Sequence, residues 1–227
     1  HITRLAHIST ACVGCGQCLL VCPVGALTSR PFRFKARAWE LQQHATVAPH
    51  DSVGSNLYVH TRNGRVMRVV PRENEEINEV WLSDRDRFSY EGLYADDRLA
   101  SPMVKVDGNW RETDWDSALQ AAVEGLRGVV SQHGADQLGV LASPNSTLEE
   151  FYLLQAIARG LGTANIDHRL RRVDFSDQDS APLGPSLGQS LQDLERVDAA
   201  LVVGANPRKE QPIAGHRLRK AAMAGAG

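Results

Sequence analysis

Residues 12–23 read Cys-Val-Gly-Cys-Gly-Gln-Cys-Leu-Leu-Val-Cys-Pro, and this stretch holds all four cysteines of the 227-residue chain. A disulfide scaffold would spread its cysteines along the chain in order to close long loops. Here Cys12, Cys15, Cys18 and Cys22 lie within eleven residues. This concentration predicts a metal site in a reducing compartment.

The spacing of the four cysteines is typical of bacterial ferredoxins, in which such a run binds a [4Fe-4S] cluster. We therefore predict that Cys12, Cys15, Cys18 and Cys22 are the cluster ligands. A structural zinc site is the alternative, but zinc usually takes two separated cysteine pairs. In two-cluster ferredoxins the fourth cysteine of the run ligates the other cluster. The spacing therefore leaves open whether Cys22 shares a cluster with the other three.

The bulk composition excludes several classes of partner. The chain has 25 basic and 27 acidic residues and a net charge of −2, so it has no basic excess with which to neutralise nucleic-acid phosphates. Its longest apolar runs, such as Ala199–Val203, are far too short for a membrane span. We therefore expect neither a nucleic-acid partner nor a direct membrane span.

Three regions differ in their sequence patterns, and we predict them as domains. Residues 1–44 hold the cysteine run and a basic stretch, residues 45–100 are rich in strand patterns, and residues 101–227 alternate helix and strand patterns. In the second region, Asn56–Arg62 and Arg65–Val70 alternate apolar and polar residues around Asn63-Gly64. Asn-Gly between two such runs predicts a β-hairpin.

The third region has the element order of a parallel α/β sheet. Its predicted elements are a helix at Trp115–Gln132 capped by Thr113 or Asp114, a strand at Leu138–Ala142, a helix opened by a capping box at Thr147–Glu150 and running to about Leu161, strands at Ala164–Asp167 and Ala199–Val203, and a helix from about Gln211 to Ala224. We expect Ala199–Val203 to be a buried strand of parallel type. Another strand is expected after Gly227, so the sequence is expected to be a piece of a longer protein.

Motifs beyond the cysteine run carry a family resemblance, and they occupy residues 22–27, 32–41, 72–74, 81–90, 97–99 and 204–208. With these motifs the chain closely resembles the large iron–sulfur subunit, known as the G subunit, of bacterial NADH-quinone oxidoreductase (complex I). The resemblance implies a ferredoxin-like iron–sulfur segment, a small β-rich domain and a partial molybdopterin-oxidoreductase-like parallel α/β domain. The implied function is the relay of electrons from NADH and flavin, through [4Fe-4S] clusters, towards quinone.

The same resemblance implies partners and a location. The chain would join other subunits of the peripheral arm, including the flavin- and NADH-binding subunit, on the cytoplasmic side of the bacterial inner membrane. It would be an enzyme only as part of that complex, and we expect no catalytic residue in this chain. Because three cysteines precede Cys22, the run also looks like that of NAD-linked hydrogenases and formate dehydrogenases. A component of such an enzyme is one alternative, and a zinc-stapled interaction module is a second.

Two departures from the family pattern concern cofactors. The family can bind an extra cluster in the β-rich region, but the matching positions here are Ala48, Asp51, Ser55 and Ser83. Oxygen ligands are poor substitutes for thiolates towards iron–sulfur clusters, so we expect no cluster there. Molybdenum formate dehydrogenases place a metal-binding cysteine or selenocysteine after a segment that matches Asn165–His168, where this chain has Val173. We therefore expect no molybdenum cofactor.

A short charged run follows Ser83 in the sequence. Arg85, Asp86 and Arg87 alternate in charge, and we expect them to form structural ion pairs. No role at the cluster is predicted for them.

Overall fold

The computed structural model of the chain describes residues 15–169, 174, 176–177, 179–182, 184 and 186–227. They form two compact units: one contains the described residues up to 95 and those from 184 to 227, and the other contains the described residues between 96 and 182. These compact units divide the chain differently from the three predicted domains, which stay a prediction.

The first unit is built on a three-stranded antiparallel sheet. A short helix, α1 (Gln17–Val21), precedes β1 (Gln42–Val47), β2 (Asn56–Arg62) and β3 (Arg65–Pro71), which lie in that order in the sheet. Asn63 and Gly64 both have positive φ, 50° and 73°, as a tight hairpin turn of the predicted kind requires. The predicted hairpin is confirmed. The strand patterns had not indicated β1, whose six residues are all exposed.

A small apolar core lies against this sheet. Its last member, Leu82, directly precedes the next helix of the chain. Ala48, Leu57, Val69 and Leu82 are buried together. Immediately after Leu82, Ser83 caps helix α2 (Asp84–Phe88) by accepting a hydrogen bond from the Asp86 N–H at 3.1 Å. The chain then continues as a 3-10 helix at Ser89–Tyr94.

The last segment of the chain also belongs to the first unit. It forms a 3-10 helix at Gln192–Arg196 and the helices α5 (Pro207–Glu210) and α6 (Pro212–Ala224), so the predicted C-terminal helix is confirmed. The predicted strand at Ala199–Val203 is wrong. Leu201 is 92% exposed there, and in the described part of the chain no strand lies beside this run to pair with it.

The second unit contains the predicted helix–strand alternation in shortened form. A hairpin of β4 (Met103–Val106) and β5 (Asn109–Glu112) comes first, followed by α3 (Trp115–His133), β6 (Val140–Leu141), α4 (Leu148–Gly160) and β7 (Ile166–Asp167). β6 and β7 pair in parallel, so the parallel arrangement is confirmed for these two strands. No helix in the described ranges combines the length and the apolar character that crossing a membrane requires.

Candidate iron–sulfur site

The cysteine segment folds as a tight turn followed by one short helix. Gly16 adopts the left-handed conformation, with φ of 59°, directly before α1, which carries Cys18. Cys22 follows α1 with an extended backbone. Cys15 and Cys22 are half-buried, and Cys18 is exposed. Cys12, the remaining predicted ligand, lies outside the described residues.

The structure brings three predicted ligands onto one short segment without gathering them at one point. Among the residues that the structure describes, no three His, Cys, Asp or Glu side chains converge closely enough to hold a metal ion. Ligation by Cys15, Cys18 and Cys22 therefore stays a prediction. It rests on their spacing and on the chemistry of their surroundings.

The surroundings of Cys22 favour its thiolate. The backbone N–H of Leu27 lowers the pKa of Cys22, partial desolvation raises it, and the N–H groups of Ala26, Val24 and Gly25 lower it further, so that the pKa falls below its ordinary value. The thiolate is the form of cysteine that binds metals.

A buried arginine contacts the turn at Cys15. The Arg87 Nη2 donates a hydrogen bond to the Cys15 carbonyl oxygen at 3.0 Å, and Arg87 is only 4% exposed. Burial lowers the pKa of Arg87, whereas the Asp84 carboxylate and the Cys15 and Cys18 thiols raise it. Arg87 is 72 residues from Cys15 in sequence, and no local pattern in the sequence could have indicated this contact.

In the part of the chain that the structure describes, the predicted structural ion pairs of Arg85, Asp86 and Arg87 do not form, and hydrogen bonds take their place. Arg85 donates hydrogen bonds to the backbone carbonyls of His50 at 2.8 Å and Glu210 at 3.0 Å. Asp86 accepts a hydrogen bond from Ser83 instead of pairing with an arginine. The reason is geometric: neighbouring positions on a helix point in different directions, so residues one or two apart do not face each other.

A cleft of about 370 Å³ lies beside Cys22. Its walls are mainly apolar and aromatic, and they include Leu19, Phe32, Val69, Arg87, Phe88 and Tyr90. Apolar walls limit solvent access and lower the local dielectric constant, which are two of the means by which proteins tune iron–sulfur clusters.

The donor set of this segment fits a [4Fe-4S] cluster. It offers soft thiol ligands, backbone N–H groups that favour the thiolate of Cys22, and a buried cation close to the turn. The lack of a side chain at Gly16 makes room for Arg87, because a Cβ atom added at this position would lie 2.2 Å from the Arg87 Nε.

The four positions that match the family's extra cluster lie on two segments, and their polar side chains are held in local hydrogen bonds. The Ser55 hydroxyl donates to Asp51 Oδ2 at 2.5 Å, and the Ala48 N–H donates to the Ser55 carbonyl at 2.8 Å. Nearby, the Ser83 hydroxyl donates to Asp86 Oδ2 at 2.5 Å. Ser55 and Ser83 are almost completely buried.

These groups do not fit an iron–sulfur cluster. Two hydroxyls, one carboxylate and one methyl group provide no thiolate, and the hydroxyls already donate to carboxylates, Ser55 to Asp51 and Ser83 to Asp86. Burial raises the pKa of Asp86, the bond from Ser83 lowers it, and the charge of Asp51 raises it further. Arg85 donates to the His50 carbonyl at 2.8 Å, and Ala48 is buried together with Leu82, so the segments carrying the four positions meet in the fold.

The region matched to the molybdenum site contains only oxygen and nitrogen groups. Asp167 accepts backbone hydrogen bonds from His168 at 2.7 Å and Arg169 at 3.0 Å, and these two N–H groups lower its pKa. The His168 ring lies 6.2 Å from that of Phe151. Val173, the predicted counterpart of the metal ligand, lies outside the described residues. Every cysteine of the chain precedes residue 23, so this region has no thiol.

Comparisons with known proteins agree with these features. A 4Fe-4S binding domain model matches residues 6–28, and a model described as the NADH-ubiquinone oxidoreductase NDSU1/NuoG-like 4Fe-4S domain matches residues 41–91. A molybdopterin oxidoreductase model matches residues 98–226. The predicted [4Fe-4S] binding region and the predicted fold class are confirmed.

Relatives with curated names agree with the family models. The G subunit of NADH-quinone oxidoreductase from Rickettsia bellii is 37% identical over 92% of this chain and 30% of the relative. The corresponding protein of Rickettsia conorii is 36% identical over 89% of this chain and 29% of the relative. NADH dehydrogenase [ubiquinone] iron-sulfur protein 1 of Solanum tuberosum is 38% identical over 92% and 28%, respectively.

The chain thus spans about 30% of the length of the curated relatives that it matches. The predicted resemblance to the G subunit is confirmed by the names and identities of these relatives. The molybdopterin oxidoreductase model covers more than half of the sequence. The chain therefore belongs to the molybdopterin oxidoreductase family.

Proposed function

We propose that this chain is an electron-transfer iron–sulfur subunit of an NADH-quinone oxidoreductase, relaying electrons from NADH and flavin towards quinone. The observation that carries the proposal is the match of the 4Fe-4S binding domain to the cysteine run, in a chain whose relatives are named as the G subunit of that enzyme. The chain acts as part of the enzyme and contributes no catalytic acid, base or nucleophile of its own.

The residues of the cysteine segment have distinct tasks in this proposal. Cys12, Cys15, Cys18 and Cys22 ligate iron as thiolates. The N–H groups after Cys22 stabilise its negative charge, and the left-handed turn at Gly16 brings the backbone close to the site. When bound, a [4Fe-4S] cluster supplies reversible one-electron chemistry.

The partners follow from the same proposal. The chain associates with the other subunits of a peripheral arm, including the one that binds NADH and flavin, on the cytoplasmic side of the bacterial inner membrane. The absence of thiols after residue 22 supports a function in which the family's molybdenum chemistry is not used.

Iron, acid-labile sulfide and EPR measurements test this function. We expect the anaerobically purified chain to contain iron and sulfide in equal amounts and to give an EPR signal after reduction with dithionite. Cys15→Ser should remove most of that signal. The Ser143→Ala variant, which changes a residue outside the cysteine segment, should keep it.

Metal analysis of the same samples separates the alternatives. A colourless protein that holds one zinc and has no reduced signal would refute the electron-transfer function. Stoichiometric molybdenum would favour a component of a formate dehydrogenase. Cys22→Ser adds a separate answer: if it removes the same share of the signal as Cys15→Ser, the two cysteines serve one cluster.

A further inference from the structure

Arg87 is the only described residue outside the cysteine segment that holds a buried formal positive charge in hydrogen-bond contact with that segment. Its Nη2 bonds the Cys15 carbonyl at 3.0 Å. Its stem also lies against the backbone of Gly16, where an added Cβ would be 2.2 Å from Nε and 2.8 Å from Cδ. The side chain is therefore fixed at two points along its length.

Burial makes this charge effective over distance. Arg87 is 4% exposed, so solvent and salt screen it far less than they screen a surface arginine. Its Nε is buried and has no hydrogen-bond partner within the described ranges. The side chain thus keeps donor capacity beyond the single bond to Cys15.

The opposite charges around Arg87 are few and identifiable. The carboxylate of Asp84, on the same helix, acts on it electrostatically, and so do the thiols of Cys15 and Cys18. A cluster ligated by thiolates is negatively charged and becomes more negative on reduction. A buried cation that contacts the Cys15–Gly16 turn of the ligand segment stabilises the reduced form more than the oxidised form.

We propose that Arg87 is a positioning residue for the iron–sulfur cluster, holding the Cys15–Gly16 turn and raising the reduction potential of the cluster through its buried charge. This role rests on the proposed electron-transfer function. Helix α2 thereby connects the β-rich region to the redox site, although the positions of the family's extra cluster carry no thiols.

The test compares charge variants of helix α2 by EPR-monitored redox titration of the loaded chain. Arg87→Gln should reduce the ratio of reduced to oxidised cluster about tenfold at a fixed ambient potential, which is a fall of ~59 mV in midpoint for a one-electron couple. Arg87→Lys, which keeps the charge, should shift the midpoint much less. Arg85→Gln is the matched control, because it removes the same charge from an exposed arginine two positions away on the same helix.

The outcomes are distinguishable. Wild-type chain without iron and sulfide refutes the proposed function. A loaded Arg87→Gln variant whose midpoint equals that of Arg85→Gln overturns the role of Arg87 alone. If Arg87→Gln does not retain the cluster, Asp84→Asn decides: removal of the carboxylate that offsets Arg87 should raise the midpoint, and an unchanged midpoint overturns the proposal.

Discussion

Single buried polar residues hold much of the β-rich region together. The Asn78 side chain is 1% exposed and makes four hydrogen bonds to backbone groups. Its Oδ1 accepts from the Asn56 N–H at 2.8 Å, and its Nδ2 donates to the carbonyls of Asn56, Arg72 and Trp81 at 3.2, 3.2 and 3.0 Å. One amide thus joins β2, the end of β3 and the segment that leads to α2.

His60 makes the stability of the same region dependent on pH. It is buried on β2, and its Nδ1 accepts a hydrogen bond from the Arg68 Nε at 3.0 Å. Burial lowers the pKa of His60 to about 4, and the charge of Arg68 contributes to the shift. The unfolded chain therefore binds a proton between pH 6.5 and 4 that the folded chain does not bind.

We expect this histidine to reduce stability in mild acid. Above pH 6.5 the histidine leaves the free energy of unfolding at its full value. As the pH falls from about 6.5 to 5, proton binding by the unfolded chain lowers that free energy by about 2 kcal/mol. Urea unfolding at a series of pH values measures this change. His60→Gln should remove that share of the pH dependence, whereas His44→Gln, at an exposed histidine on β1, should leave it. Equal pH profiles for wild type and His60→Gln would contradict the assignment.

The sequence alone indicates candidate ligands for the site but not their surroundings, and ligation by these cysteines stays a prediction. The cysteine spacing is a local pattern, so Cys15, Cys18 and Cys22 could be chosen without a structure. Arg87 could not, because its contact with Cys15 joins residues 72 positions apart. The packing of the segment of Ala48 against that of Leu82 and Ser83 was predictable only through the family resemblance.

Helix ends are the best-predicted features at the level of secondary structure. The Thr147 hydroxyl accepts from the Glu150 N–H at 3.2 Å, and the Glu150 carboxylate accepts from the Thr147 N–H at 2.8 Å. This is the predicted capping box of α4. Asp114 likewise caps α3 by accepting from the Ser117 N–H at 2.8 Å.

Removal of the Thr147 hydroxyl should destabilise the second unit. We expect Thr147→Ala to lower the free energy of unfolding by about 1 kcal/mol, because it breaks the capping box that pairs two backbone N–H groups at the start of α4. Thr147→Ser keeps the hydroxyl and is the control. Chemical denaturation followed by circular dichroism measures both, and equal losses for the two variants would show that the hydroxyl does not cap the helix.

Turn residues are a clear sequence signal for the strands of this chain, and one of two such signals was used. Asn63-Gly64 indicated the hairpin of β2 and β3, and Asp107-Gly108, with φ of 50° and 81°, is an equally clear signal for β4 and β5 that we did not predict. The strand expected at Ala199–Val203 failed for a different reason. An apolar run becomes a strand only when a neighbour pairs with it, and sequence periodicity does not reveal the neighbour.

At the scale of the whole molecule, a buried charge network fastens α6 to the β-rich region. Arg217 is 3% exposed and donates to the carbonyls of Glu75 at 2.7 Å and Ile77 at 2.9 Å. It also bonds Glu195 at 2.5 Å. The contact with Ile77 joins residues 140 positions apart, and such contacts explain why the last segment belongs to the first unit.

Loss of Arg217 should loosen that attachment. We expect Arg217→Met to lower the free energy of unfolding of the first unit by about 3 kcal/mol, because carbonyls and a carboxylate lose a buried donor. Limited proteolysis should then cut faster before α6. Arg219→Met, on an exposed position of the same helix, should change stability by no more than about 0.5 kcal/mol. If the two variants behave alike, the network contributes little to the attachment.

The two hydrogen-bonded pairs Asp51–Ser55 and Ser83–Asp86 have a consequence for biogenesis. A metal site that organises its own domain makes folding depend on metal supply, since the unfolded chain must find its ion before it can become compact. Here hydrogen bonds within the chain order each segment locally, and the segments are joined by the bond from Arg85 to the His50 carbonyl and by the packing of Ala48 with Leu82. During iron starvation, the newly made β-rich region would therefore still fold to its native structure. Only the cysteine segment would depend on insertion of a cluster.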